Sequence, residues 1–222
     1  MNRYHDYITA NYPKEIVEIY DHVREQVSSG ELCACHTTDD GRLNSALDEE
    51  VVIASLIARF PDNVVKVKTR NWFDFPFMTR GKTLVFNIKC STGKTDNAMN
   101  KKALVYSLTP LEPEEIPGSM TYNRMRELID EHLNDRRNPD KEYYYMYIDK
   151  NDKTVLVKSV LDVQNLVSNP CNILQINWTK EKRDAHVFNN ADPATARRRL
   201  FDVIEKSIRQ QFAGCSKFIA GD

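Results

Sequence analysis

Two segments near the start of the chain have the apolar spacing of amphipathic helices. Residues 11–30, NYPKEIVEIYDHVREQVSSG, carry apolar residues three or four positions apart, begin with Asn11 as a capping residue and end at Gly30. Residues 46–61, ALDEEVVIASLIARFP, repeat that spacing until Pro61, which cannot continue a helix. The pattern therefore predicts two helices, and a polar connection, TTDDGRLNS, separates them.

Farther along the chain the apolar period changes to two, which is typical of strands. Residues 63–70, NVVKVKTR, and 82–90, KTLVFNIKC, alternate in this way. Residues 143–150, YYYMYIDK, and 153–160, KTVLVKSV, flank a tight turn at Asn151 and Asp152, so they are predicted to form a hairpin. Residues 172–178, NILQINW, predict a further short strand with Trp178 in the core.

Helical spacing returns in residues 120–134 and in the terminal segment 191–214, and it is weaker in the second half of 91–110. Helices followed by strands and a flanking terminal helix predict a single α/β or α+β domain over residues 1–222, with a mixed sheet covered by helices. The acidic, proline-bearing stretch LEPEEIPG makes residues 109–142 a candidate helical insertion or hinge.

The amino-acid composition indicates the cellular compartment in which the protein is expected. No apolar run approaches the roughly 18 residues that a membrane helix needs, and the N-terminal sequence has no apolar core of the kind a secretion signal requires. The five cysteines are odd in number and irregular in spacing, which is typical of reduced thiols. Cys33, Cys35 and His36 lack a second Cys/His pair at zinc-finger spacing. We expect a cytoplasmic protein without a membrane segment.

Charge is distributed unevenly along the chain. The net charge is −1, yet residues 64–102 hold nine basic residues against two acids. A positive region of this kind within one chain suggests a local site for a negatively charged partner, since the local field matters more to binding than the total charge. Lysine-rich strand edges exposed to solvent would give the same count.

Three residue types that hydrolytic metal sites use occur close together in the segment 72–89, WFDFPFMTRGKTLVFNIK. Asp74 precedes a turn, and Asn87 and Lys89 share one face of the strand that follows, because strand side chains alternate. A hairpin would bring Asp74 to both, with Glu49 or Glu50 available from the preceding helix. Mg²⁺ prefers such oxygen ligands, although Asp74 taken singly could cap a turn and Lys89 could be a solvated strand lysine.

This pattern, an acid, twelve residues, and then Asn-Ile-Lys on a strand, resembles the core of the PD-(D/E)xK nuclease superfamily. The order of the later segments, with the MYID hairpin strand, the ILQINW strand and the basic terminal helix, resembles type II restriction endonucleases of the HincII and EcoRV kind over about residues 46–214. The resemblance implies a restriction-endonuclease-like mixed sheet. It also implies a homodimer that hydrolyses phosphodiester bonds of double-stranded DNA with Mg²⁺ and leaves 5′-phosphates.

Residue by residue, the resemblance implies that Asp74 bridges metal ions, that the backbone carbonyl of Ile88 and the side chain of Asn87 are further ligands, and that Lys89 positions or activates water. Glu50 would be an acid of the outer shell. The polar loop after the strand would lie on DNA, and its contact candidates are Ser91, Thr92, Lys94, Asn97, Asn100 and Lys101.

Asn87 departs from the family pattern, which has an acid at this position. A catalytically impaired DNA-binding protein on a nuclease fold and a monomeric repair nickase are therefore alternative functions. The sequence leaves open whether Asn87 is natural or an inactivating substitution, whether Glu49 or Glu50 is the helix acid, and what the recognition sequence and cut position are.

Overall fold

A computed structural model describes residues 3–32, 41–67, 71–79, 81–91, 97–132, 135, 141–169, 171, 173–187 and 193–219. For residues 41–45, 173, 193 and 214–219 it describes the backbone alone. Thr92, Lys94, Cys33, Cys35 and His36 lie outside the described residues.

The described residues form helices and strands in a mixed order. The helices are α1 (Arg3–Asn11), α2 (Lys14–Ser29), α3 (Gly41–Arg59), α4 (Lys101–Leu108), α5 (Tyr122–Glu131), α6 (Trp178–Arg183) and α7 (Pro193–Ile219). The strands are β1 (Phe75–Thr79), β2 (Lys82–Ser91), β3 (Asn97–Ala98), β4 (Lys141–Asp149), β5 (Thr154–Ser159), β6 (Leu166–Asn169) and β7 (Ile173–Ile176).

The larger sheet is mixed and has the strand order β1-β2-β4-β5. β1 and β2 form an antiparallel hairpin, β2 and β4 pair in parallel, and β4 and β5 pair antiparallel. A smaller antiparallel sheet has the order β3-β7-β6, and α7 packs on it. The predicted mixed sheet flanked by helices is confirmed, and its general class is α+β.

The centre of the larger sheet is buried on both faces. Phe86 is fully buried and stacks between Phe75 and Tyr144, at centroid distances of 4.7 and 5.3 Å. Fully burying one such ring contributes about 1.5–3 kcal/mol, so these stacks hold β1, β2 and β4 together. Helices α2 and α3 contact β5 and β2, respectively, and cover the sheet.

Most of the predicted elements are present, with differences at their ends. The predicted first helix corresponds to α2, which ends at Gly30 in the left-handed conformation, φ 91°. Asn11 is the last residue of α1, a separate helix that the sequence pattern did not predict, and Pro13 stands at the N-cap of α2. Trp178 is buried as predicted, but it begins α6.

The strand predicted over residues 63–70 is wrong in its described part. Val64 makes one isolated bridge to Phe77, and residues 65–67 have no regular structure. The strand beside β2 is instead β1, whose apolar residues Phe75 and Phe77 face the core. Alternation alone does not decide which segment gains the partner strand, because strand preference depends on packing against neighbours.

The predicted hairpin of β4 and β5 is confirmed. Its connection runs from Lys150 to Lys153, and Lys153 adopts a left-handed backbone with φ 59°. The amide of Lys150 donates to the carbonyl of Ser91 at 2.8 Å, so the hairpin tip lies beside the carboxyl end of β2.

Residues 109–142 contain α5, which packs against α4. The buried ammonium of Lys141 donates to the carbonyls of Thr109 and Leu111, which joins the two ends of this segment. Among the described residues no helix is long and apolar enough to cross a membrane.

A buried ion pair joins the larger sheet to α6. The Lys158 ammonium lies 3.6 Å from a Glu181 carboxylate oxygen, and both side chains are almost inaccessible, at 0% and 1% exposure. The other carboxylate oxygen accepts hydrogen bonds from the amides of Gln164 and Asn165. Lys158 also lies over the ring of Tyr7, at 4.7 Å from the centroid.

Changing Glu181 to Gln should destabilise the protein by about 3–5 kcal/mol, because the change leaves the Lys158 charge buried without its partner. Chemical denaturation would measure the loss. Glu205→Gln, which removes an exposed i,i+4 pair with Arg209, is the matched control and should cost less than about 0.5 kcal/mol. Equal effects of the two changes would contradict a role for the buried pair.

Candidate active site

The β1–β2 hairpin brings Asp74 to the strand that carries Asn87 and Lys89. β1 begins at Phe75, which pairs with Phe86, so Asp74 lies just before this ladder and beside the part of β2 that carries Asn87. The Asp74 amide donates to the Phe86 carbonyl at 2.8 Å, and its carboxylate oxygen Oδ2 accepts from the Ile88 amide at 2.6 Å. The predicted approach of Asp74 to this strand is therefore present.

The end of β1 explains why the backbone of Ile88 is available. The ladder between β1 and β2 ends at the pair Phe75 and Phe86, so Ile88 lies on β2 beyond the start of β1. Each backbone amide and carbonyl must still find a partner. The Asp74 carboxylate takes the Ile88 amide, and the Lys89 ammonium donates to the Ile88 carbonyl at 2.8 Å.

Asn87 lies at the centre of this group. Its side chain and that of Lys89 are half-buried, whereas Phe86 and Ile88 are fully buried, as the alternation predicted. The Asn87 amide group makes no side-chain hydrogen bond with the residues that the structure describes. One neutral carbonyl oxygen is thus available beside the Asp74 carboxylate.

The helix acid beside Lys89 is Glu49. Its carboxylate lies 3.9 Å from the Lys89 ammonium, and both side chains are 22% exposed. The candidate of the sequence analysis, Glu50, is exposed, and Asp48 is buried in an ion pair with Lys150. Successive helix residues are rotated by about 100°, so of the two acids that the sequence left open, Glu49 lies beside Lys89 and Glu50 faces away from it.

If this site cleaves DNA as the resemblance implies, Glu49→Gln should lower the cleavage rate by about 10- to 100-fold, because the change removes the carboxylate that faces Lys89. Glu50→Gln, the matched control one residue along α3, should leave activity within about twofold. The measurement is the rate of DNA cleavage under single-turnover conditions. If Glu50→Gln is the more damaging change, α3 is oriented differently in the working protein.

Burial sets the protonation behaviour around the hairpin. Burial raises the pKa of Asp74, although the Lys89 ammonium and the Ile88 amide act in the opposite direction. Burial also raises the pKa of the neighbouring Cys90 thiol to about 12. Because the thiolate is the nucleophilic form, Cys90 is unsuited to nucleophilic catalysis. A cation bound near Asp74 would lower the pKa of its carboxyl group and stabilise the ionised form.

The oxygen atoms of this site suit a hard cation, although the protein supplies few of them. Asp74 has a second carboxylate oxygen, Oδ1, without a hydrogen bond to the described residues, and the Asn87 and Ile88 carbonyls lie on the same strand. Within the described part of the chain, no group of three or more His, Cys, Asp or Glu could hold a metal ion. Mg²⁺ is commonly held by one or two carboxylates together with substrate phosphates and water, so the residues present fit a Mg²⁺ ion that the substrate helps to bind.

Aromatic residues that the sequence analysis did not assign to the site support it. The ring of Trp72 stacks on Tyr143, 5.8 Å between centroids, and the Tyr143 hydroxyl donates to the Trp72 carbonyl at 3.0 Å. The Asn100 amide NH₂ group approaches the same carbonyl at 3.5 Å. These contacts fix Trp72, two residues before Asp74, and bring the start of α4 beside the site.

The predicted DNA contacts divide into three groups. Asn100 caps α4 by accepting from the Lys102 amide at 2.9 Å, Lys101 lies over the ring of Tyr122 at 4.9 Å, and Asn97 is half-buried in β3. Asn100 and Lys101 therefore flank the site. Ser91 is only 7% exposed at the end of β2 and forms a hydrogen bond with Tyr147, so its interior position argues against the predicted contact with DNA. Thr92 and Lys94, as stated above, are not described.

A scan against models of known protein families, a search of curated proteins and a search of solved structures each found no match to this chain.

Proposed function

We propose that this protein is a Mg²⁺-dependent endonuclease that hydrolyses phosphodiester bonds of double-stranded DNA. The observation that carries the proposal is the joining of Asp74, Ile88 and Lys89 through two hydrogen bonds, with Glu49 facing the ammonium from α3. An acid and a strand carbonyl can hold a metal ion, and a lysine beside them can orient water, so the group suits metal-assisted phosphoryl transfer.

Each residue of the site has a separate role in the proposed reaction. A bound Mg²⁺ ion would neutralise charge on the scissile phosphate. Asp74 and the Ile88 carbonyl would hold the ion, and the Lys89 ammonium would orient the attacking water through an N–H donor. The water oxygen forms the new bond to phosphorus, the bond to the 3′-oxygen breaks and leaves a 5′-phosphate, and Glu49 lies where it can take a proton from water.

The restriction-endonuclease fold and a homodimer belong to the same proposal. The support is the resemblance of the hairpin motif and of the later strand order, together with the mixed sheet. A two-fold symmetric dimer would cut both strands of a palindromic site. The basic segment 64–102 supports binding to phosphates and predicts that DNA affinity falls steeply with salt.

Plasmid cleavage in Mg²⁺ tests the function. Paired breaks at one sequence indicate a type II restriction endonuclease, and single-strand nicks indicate the monomeric nickase. DNA binding without cleavage indicates a catalytically impaired DNA-binding protein, the alternative that the amide at Asn87 supports. Asp74→Asn is the control for contaminating nucleases, because it should abolish any cleavage that belongs to this site. The proposal is refuted if the protein neither cleaves nor binds DNA.

A further inference from the structure

A cavity lined by basic residues lies outside the candidate active site. It has a volume of about 440 Å³ and lies between α1, α2, the start of β5 and the end of α6. The basic and aromatic residues that line it include Arg3, Tyr20, Arg24, Lys153, Lys182 and His186. No Asp or Glu is among its lining residues within the described part of the chain. Donors of this kind converging on one concave surface favour an anion.

Two of the cations are held in place by acids that lie outside the cavity wall. Lys182 is paired with Asp149 at 2.7 Å and with Asp152 at 2.5 Å, and Arg24 lies 3.4 Å from Asp21. The Nε of Arg24 is buried and has no hydrogen-bond partner within the part of the chain that the structure describes. Arg24 also lies over the ring of Tyr20, at 5.7 Å from its centroid, so its guanidinium is held at the cavity wall.

Lys153 provides an independent observation. It is the only non-glycine residue with positive φ among the described residues, at φ 59°, a conformation that Gly and Asn adopt at lower cost. Its ammonium reaches the carbonyl of Ser28 at 3.4 Å, across the cavity mouth from the hairpin. The Lys153 ammonium therefore stands at the cavity wall, positioned by the hairpin and by the Ser28 carbonyl.

The cavity lies at the same end of the larger sheet as the candidate active site. The hairpin tip that carries Lys153 is bonded to Ser91, two residues beyond Lys89. β5 is two strands away from β2, which corresponds to about 10 Å. Measured along the DNA axis, this distance corresponds to about three base-pair steps.

We propose that this cavity, the Lys153 pocket, binds a phosphate group. This inference rests on the proposed function, in which the bound group is a backbone phosphodiester of DNA a few nucleotides from the cut. The donors do not distinguish that phosphate from a free one, so the test has an arm for each.

The test compares Lys153→Gly with Lys14→Gln, which removes one exposed lysine charge from the far end of α2. Lys153→Gly relieves the left-handed backbone, so its Tm should equal or exceed that of the parent, and misfolding is excluded as a cause. The first arm measures binding of a non-specific DNA duplex in Ca²⁺ against salt. Lys153→Gly should lower the slope of log K against log salt by about 0.9, and Lys14→Gln should leave it unchanged.

The second arm measures binding of inorganic phosphate by calorimetry at constant ionic strength, and Lys153→Gly should weaken it at least fivefold. Loss in both arms supports a DNA backbone site. Loss of phosphate binding alone supports a site for a free phosphate. A protein that binds phosphate here but neither cuts nor binds DNA refutes the proposed function and leaves the pocket. The pocket proposal is overturned if Lys153→Gly matches Lys14→Gln in both arms.

Discussion

Replacing Lys89 with alanine is expected to lower DNA cleavage by about a thousandfold or more while leaving DNA affinity in Ca²⁺ within a few-fold of the parent. The Lys89 ammonium lies 2.8 Å from the Ile88 carbonyl and 3.9 Å from Glu49, so it is adjacent to groups that would hold a metal ion and accept a proton from water. A group that acts mainly in the transition state affects the chemical step more than binding.

Lys82→Ala is the matched control, because it removes the same charge from the other end of β2. The measurements are the single-turnover cleavage rate and the dissociation constant for DNA in Ca²⁺, with Tm as a check on folding. Cleavage by Lys89→Ala within about tenfold of the parent, or an equal loss in Lys82→Ala, would remove Lys89 from the mechanism.

Changing Asn87 to Asp should raise Mg²⁺-dependent cleavage, by up to about a thousandfold. At an effective dielectric constant near 20, a carboxylate about 4 Å from a unit charge gains roughly 4 kcal/mol, an upper bound before desolvation, and 1.4 kcal/mol corresponds to tenfold. The Asn87 amide has the same shape as a carboxylate and one oxygen that could bind a metal ion, but it lacks the negative charge.

The hairpin register gives this change a second measurable effect. An aspartate at position 87 would place a second carboxylate near that of Asp74, which accepts from the neighbouring Ile88 amide, and like charges close together on neighbouring strands destabilise a sheet. Asn87→Asp should therefore lower Tm without metal, and Mg²⁺ should raise its Tm more than that of the parent. DNA affinity without metal should be higher for the parent, which lacks this charge beside the scissile phosphate.

Asn71→Asp is the control for charge, because it adds one acid three residues before Asp74 at an exposed position. It should change neither cleavage nor the Mg²⁺ dependence of Tm. If Asn87→Asp cleaves no faster than the parent under identical conditions, Asn87 is not an impaired ligand and works as it stands.

The sequence by itself determined the local parts of the fold and of the candidate site. The faces of β2 were predicted correctly, with Phe86 and Ile88 buried on one face and Asn87 and Lys89 on the other, because side-chain direction in a strand follows from the backbone. The proximity of Asp74 to Asn87 also followed, since a short turn connects neighbouring antiparallel strands. The β4–β5 hairpin and the helices α2, α3, α5 and α7 were predicted for the same reason, because their signals lie within one segment.

Only the tertiary structure decided the features that depend on distant segments. The parallel pairing of β2 with β4 joins residues about 58 positions apart, and no local period encodes it. The rotation of α3 selected Glu49 because the helix packs its apolar face on the sheet, which fixes where each acid points. The Lys153 pocket likewise gathers side chains from helices and a hairpin that are far apart in sequence, so packing, rather than pattern, placed them together.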